Sequence, residues 1–154
     1  MEIRDYPTLS VATAPMSGND MDGSFGKLFH FITGSNARSK KIAMTTPVLI
    51  ATAKDKRTMS FVMPKKAVEK GVPQPSGESV SIGKVDAARF AVLRFAGGRT
   101  TVNEEKAVTK LQTWLDAEKI AAKGEPLLAY YDPPWTPAFM RRNEVMIRIN
   151  KARE

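Results

Sequence analysis

The residues able to do chemistry gather near the end of the chain, in Tyr130-Tyr131-Asp132-Pro133-Pro134-Trp135-Thr136-Pro137-Ala138-Phe139-Met140-Arg141-Arg142-Asn143-Glu144-Val145. The stretch begins as a strand, breaks at two prolines, exposes aromatic and basic groups, and resumes as a strand. An apolar and cationic loop between two strands suits a flat, anionic ligand better than it suits catalysis. Glu144 carries the competing reading. A carboxylate in an aromatic cleft, assisted by Tyr130 or Tyr131, could bind a cationic compound or act as the base of a small hydrolase. Its plainer reading is a hydrogen-bonded structural glutamate.

The remaining composition narrows the chemistry. His30 is the only histidine and there is no cysteine. That argues against a zinc site and removes disulfides, iron–sulfur clusters and thiol nucleophiles. Gly97-Gly98 is too short for a phosphate loop, and no nucleophile elbow or triad stands out. The sequence does not argue for turnover. Twenty-four basic residues against sixteen acidic ones give a net charge of +8, which attracts anions of many kinds. The cations are dispersed over 38–41, 54–57, 65–66, 141–142 and 151–153, so no specific nucleic-acid partner is expected. No apolar run approaches the ~20 residues of a spanning helix.

These groups need elements to hold them. Residues 2–15 read as two short strands interrupted at Tyr6-Pro7. A helix is expected from Asp22 or Ser24, with Phe25, Leu28, Phe29 and Ile32 on its core face, His30 roughly opposite, and Gly34 ending it. The 42–51 run is rich in strand formers and 58–63 is a second strand. Residues 64–77, dense in proline and glycine, read as an exposed connection. Strands follow at 80–85 and 90–95. The next helix opens with a capping-box pattern at Thr101-Val102-Asn103-Glu104 and carries an apolar stripe of Ala107, Val108, Leu111, Trp114, Leu115 and Ala121–Ala122. Gly124 and Pro126 would stop it.

The order strand, strand, helix, strand, strand therefore occurs twice. Leu9 to Ala12 parallels Ala91 to Arg94. Thr45 to Val48 followed by Met59 to Val62 parallels Asp132 to Trp135 followed by Glu144 to Ile147. The expectation is one α+β domain over 1–154, with pseudo-repeats at about 2–63 and 79–149. It would form a distorted antiparallel β-barrel or curved sheet flanked by two helices, a duplicated ββαββ unit. A cleft between the halves would be the natural binding site.

Several blocks resemble one known family. They are Glu2 to Pro7, Leu28-Phe29-x-Phe31-Ile32-x-Gly34-x-Asn36, Ile42-Ala43-Met44-Thr45-Thr46-Pro47-Val48, Phe95 to Gly98, Tyr131 to Pro134 and Arg141 to Val145. Together, and in this order, they are similar to the SOUL/heme-binding protein family over nearly the whole chain. The resemblance implies non-covalent binding of heme or another tetrapyrrole in a shallow apolar cleft with a cationic rim, for transport, buffering or sensing. It also implies a distant likeness to bacterial domains that bind drug-like effectors.

By that resemblance the heme surface uses the outer part of the first helix and the loop after Asp132-Pro133-Pro134. The matching positions are Met21, Phe25, Lys27 and His30, then Trp135, Thr136, Met140 and Arg141. His30 is the candidate iron ligand, since imidazole is the commonest one, although the family does not keep histidine there. Met21 and Met140 are the methionines to retain near the site; Met16, Met44, Met59, Met63 and Met146 read as core or pocket lining. Trp135 reads either as core filling or as a loop-borne ring able to stack on a porphyrin. Arg141 and Arg142 read either as propionate partners or as a structural turn. Tyr131 and Glu144 form the alternative effector site. A monomer is expected. The compartment is open: cytoplasmic as the chain stands, exported if an upstream signal was removed.

Overall fold

The computed structural model describes residues 1–16, 21–34, 36–39, 41–53, 56–77, 79–132 and 136–150. Among these, eight strands and three helices follow in order: β1 (Glu2–Tyr6), β2 (Leu9–Pro15), α1 (Met21–Ile32), β3 (Val48–Ala53), β4 (Lys56–Val62), α2 (Lys65–Glu69), β5 (Ser81–Val85), β6 (Ala88–Phe95), α3 (Thr101–Ala117), β7 (Leu127–Tyr130) and β8 (Asn143–Ile149). Every strand pairing within the two units described below is antiparallel. The α+β class and the doubled strand, strand, helix, strand, strand order hold. The third helix, α2, was not expected: it is a single short turn inside the proline- and glycine-rich 64–77 segment.

The chain divides into two compact units, one of residues 8–86 and one of residues 1–7 with 87–154. In the first, β4 pairs with β3 and β2, and β2 pairs onward with β5. In the second, β8 pairs with β7 and β6, and β6 pairs onward with β1. The two connectivities are the same, strand for strand, if β2, β3, β4 and β5 are matched with β6, β7, β8 and β1. The opening strand of each sequence repeat thus belongs to the other repeat's unit. This topology corrects one local parallel. Thr45 to Pro47 precede β3, whereas Asp132 to Trp135 follow β7, so the two segments are not equivalent.

In the 8–86 unit, α1 buries Leu28, Phe31 and Ile32 and leaves Phe29 45% exposed. The expected stripe put Phe29 inward and passed over Phe31. Ser24 is not the cap: it lies inside the helix, and its hydroxyl donates to the Pro15 carbonyl at 2.8 Å, tying α1 to the end of β2. At the other end Gly34 adopts φ +128°, and buried Asn36 donates to the Phe31 carbonyl at 3.0 Å, one of the carbonyls a helix leaves open. Met16, Met59 and Met63 are core residues here.

In the other unit, α3 is capped one residue earlier than expected. Thr100 accepts from the Asn103 N–H, which releases Glu104 from a capping box. Ala107, Leu111 and Leu115 form the buried stripe; burying each leucine stabilises by about 2–3 kcal/mol. The helix stops at Ala117, where Lys119 takes φ +57°, so Ala121 and Ala122 lie beyond it. β8 is paired on both sides, and Asn143 to Ile147 are all buried. Both faces of β8 are therefore buried, Glu144 and Met146 lying on one and Asn143, Val145 and Ile147 on the other.

Candidate functional site

Glu144 sits on β8 and is 2% exposed. Its carboxylate accepts from Arg4 Nη1 at 2.8 Å and Arg4 Nη2 at 3.0 Å, from Tyr131 Oη at 2.9 Å and from Arg94 Nε at 3.3 Å. Arg4 extends the network, donating to Glu2 at 2.8 Å and to the Tyr6 hydroxyl at 3.2 Å. The consequence for proton affinity is one-sided. Burial first, and then the hydrogen bond to Glu144, push the Tyr131 phenol well above its ordinary value. The Glu2 and Glu144 carboxylates raise the Arg4 guanidinium further. Four donor atoms of the chain itself fill the Glu144 carboxylate. The carboxylate expected to serve an effector or hydrolytic pair with Tyr131 is thus engaged by partners within the chain. The glutamate is the buried acceptor that fastens β1 and β6 to β8, and the tyrosine is one of its donors.

The loop before β8 is held from its flanks. Asp132 accepts from the Arg142 backbone N–H and, at 3.3 Å, from the Arg142 guanidinium; its own carbonyl accepts from Arg99 at 2.7 Å. The Arg142 backbone N–H, followed by its guanidinium, holds the Asp132 carboxyl below the usual carboxylate range. Arg141 Nε donates to the Thr136 carbonyl at 2.8 Å. Buried Asn143 donates to the Gly97 carbonyl at 3.0 Å, and the Gly97 N–H donates to the Ala138 carbonyl at 3.1 Å. Gly97 takes φ +117°, and a Cβ there would meet Asn103 Nδ2 at 2.9 Å. The positive φ favours glycine here, and an added Cβ would oblige the Asn103 side chain to shift.

On that support stands a short 3-10 turn, Ala138–Met140, which turns Phe139 outward at 80% exposure and Met140 at 60%. Thr136 is half-buried beside it. Trp135 lies outside the described residues. Phe139 had not been singled out from sequence. The signal was available: Pro137-Ala138-Phe139-Met140 is an apolar run between Thr136 and two arginines, with no alternation to place it in a sheet.

In the 8–86 unit, α1 presents Lys27, Phe29 and His30 to solvent, with Phe25 half-buried. Phe25 stacks on Phe29 at 6.0 Å between centroids and meets Phe61 edge-on at 5.4 Å. The Met21 side chain lies outside the described residues. Lys27 makes no ion pair among the described residues, and His30 occupies the last turn, where a cationic imidazole would favour the helix dipole. Exposed Met44 lies in the same unit.

Residues 1–148 match the family described as SOUL heme-binding protein. The match covers nearly the whole chain, and the chain belongs to this family. No curated protein matches it. Among solved structures, the chain is similar to the C-terminal domain of EcmrR, with TM-score 0.72, 12% identity and coverage of 98% of this chain and 97% of that one. It is similar to a hydrolase encoded by lin2189 from Listeria innocua, with TM-score 0.67, 8% identity and coverage of 97% and 91%. It is also similar to SAV2435, whose structure was solved with tetraphenylphosphonium bound, with TM-score 0.51, 8% identity and coverage of 97% and 93%. At these identities the likeness concerns the fold.

Proposed function

We propose that this protein binds heme or a related tetrapyrrole non-covalently, by apolar contact with a cationic rim, as a module for transport, buffering or sensing. The observation that carries the reading is the outward Phe139–Met140 turn, braced by hydrogen bonds of Gly97, Asp132, Thr136, Arg141, Arg142 and Asn143 around it, in a chain of a heme-binding family. A large aromatic ring at 80% exposure on a built support is a contact surface waiting for an apolar face. Each unit offers candidate contacts of its own: Met21, Phe25, Lys27 and His30 on α1 of the 8–86 unit, and Trp135, Thr136, Met140 and Arg141, with Phe139 added, in the other.

The donor set fits such a ligand in part. Exposed rings and methionine suit a flat apolar macrocycle. Lys27 suits a propionate, and His30 is the one imidazole that could reach an iron. Arg141 and Arg142 are engaged in bracing the loop, which assigns them to positioning before charge pairing. When bound, heme would supply an iron centre; the chain supplies the apolar seat and the cations.

Hemin titration tests the reading. A saturable Soret shift near one equivalent, retained at ~0.5 M salt where surface attraction is screened, is expected. A shift that grows without saturation would mean adsorption to a basic surface and would overturn it.

A further inference from the structure

A recess lies wholly within the 8–86 unit, and none of the groups assigned to the tetrapyrrole lines it. It has a volume of about 190 Å³ and opens between α2 and the segment ahead of β3. Its walls are apolar: Ile42, Ala67 and Pro73 line it, and Ile42 and Pro73 are buried. Its charged lining is of one sign, from Lys41, Lys66 and Lys70. A fourth cation stands nearby, since the Arg38 guanidinium is 3.9 Å from where a Cβ on Gly71 would be. None of these four side chains forms an ion pair with a described residue.

The walls are fixed rather than draped. The Ile42 N–H donates to the Ile32 carbonyl at 2.7 Å, anchoring one wall to the end of α1. The Ala37 N–H donates to the Gln74 carbonyl at 2.7 Å, and Asn36 bridges to Pro75, anchoring the other. Gly71, at φ +82°, turns the chain from α2 into that second wall. The recess is therefore assembled from two separate stretches of sequence, 41–43 and 64–73, each bringing at least one cation.

Like charges around an apolar floor repel one another and sit next to a low-dielectric wall. An anion relieves both costs, through charge-assisted hydrogen bonds worth about twice a neutral one. The volume sets the size. It is below the ~300–1,000 Å³ of sites for drug-sized molecules, room for one ring or a short chain and too little for a tetrapyrrole. We propose that this recess is a binding site for a compact organic oxyanion, its anionic head among Lys41, Lys66 and Lys70 and its apolar body against Ile42, Ala67 and Pro73.

Amide chemical shifts of the whole chain, titrated with benzoate, inorganic phosphate and benzyl alcohol, test it. Benzoate is expected to shift the 41–43 and 66–72 amides saturably. Inorganic phosphate, lacking the apolar body, and benzyl alcohol, lacking the charge, should bind at least tenfold more weakly. The Lys66→Ala, Lys70→Ala double variant should lose at least tenfold in benzoate affinity. Both positions are exposed on or beside a helix and alanine favours helix, so folding should survive. If it does not, Ala67→Glu, which places an acid in the wall, should abolish benzoate binding instead. Equal binding of benzoate and phosphate, or unchanged affinity in the variants, would overturn the proposal. Because hemin is not involved, the result is independent of the tetrapyrrole reading.

Discussion

Arg4 and Glu144 are 140 positions apart in sequence and meet fork to fork, with both guanidinium nitrogens on both carboxylate oxygens at 2.8 and 3.0 Å. The glutamate is almost wholly buried, whereas the arginine side chain keeps 20% of its surface in contact with water. Removing the arginine leaves a buried carboxylate served only by Tyr131 and the longer Arg94 contact. Breaking a buried pair in this way costs about 3–5 kcal/mol when nothing remains. With two donors remaining, Arg4→Ala should destabilise by about 2–3 kcal/mol. Arg4→Lys should recover less than half, because an ammonium cannot fork. Urea unfolding measures both, and a loss under ~0.5 kcal/mol would show that the pair is mere surface decoration.

That contact explains what the sequence could and could not reveal. β8 reads as a strand from its own residues, and Glu144 stands out on it as a carboxylate in an apolar run. Its partner does not, because Arg4 becomes a neighbour only when β1 joins β6, across most of the chain. The same long-range exchange hides β5 in the unit of β2. Local errors have local causes. Phe29 and Phe31 both fit a helical stripe within one turn, and only the packing of α1 selects Phe31. Thr100 and Thr101 are equally good caps by type. α2 is masked by its surroundings of Pro64, Gly71 and Pro73, which break longer helices but leave room for a single turn.

The Tyr131 phenol should leave a mark at high pH. Its ordinary value is 10.0, and in the folded protein it is raised, by burial first and then by the Glu144 carboxylate. The folded state thus holds this proton more tightly than the unfolded chain. Its contribution is complete below pH ~10 and is lost as pH rises above that toward the folded value. Tyr131→Phe cannot titrate. The wild-type advantage over this variant, about 1 kcal/mol for the lost hydrogen bond, should be flat from pH 7 to 9 and shrink above pH 10. Urea unfolding of both proteins across that range checks it. A gap that widens with pH would mean that Tyr131 is ionised in the fold.

At low pH, Asp132 gives the opposite sign. Its pKa is depressed, chiefly by the Arg142 backbone N–H. Its contribution is therefore present above the ordinary carboxylate value of 3.8 and is lost as pH falls through the depressed one. Asp132→Asn should remove this acid-side component and loosen the loop at neutral pH. Proteolysis within 133–142 should become faster in the variant at pH 7 and converge with wild type only as pH falls below 3.8 through the depressed value.

Gly97 tests whether the loop's support matters to its proposed use. Alanine there must adopt φ +117° and place a Cβ 2.9 Å from Asn103 Nδ2. Such strain costs about 1–3 kcal/mol. The damage should spread beyond stability, because Gly97 holds both Asn143 and the Ala138 carbonyl. Gly97→Ala should weaken hemin binding severalfold while the protein remains folded by circular dichroism, with Phe139 less ordered by NMR. Unchanged hemin affinity would detach the turn from the ligand.

The ring and the imidazole themselves separate two modes of heme contact. If binding rests on apolar contact, Phe139→Ser should lower hemin affinity about tenfold, the loss of roughly 1.4 kcal/mol expected for part of an aromatic burial. It should leave stability within ~0.5 kcal/mol, because a ring at 80% exposure packs on little in the free protein. His30→Ala separates the axial role. Since His30 is exposed on α1, its removal should leave the fold intact and change the iron's spin state and Soret position only if the imidazole ligates. A spectrum unchanged in His30→Ala but weakened in Phe139→Ser assigns binding to the apolar seat alone. The reverse pattern makes His30 the anchor and Phe139 a bystander. Absorption and magnetic circular dichroism of the two variants, titrated with hemin alongside wild type, distinguish these outcomes.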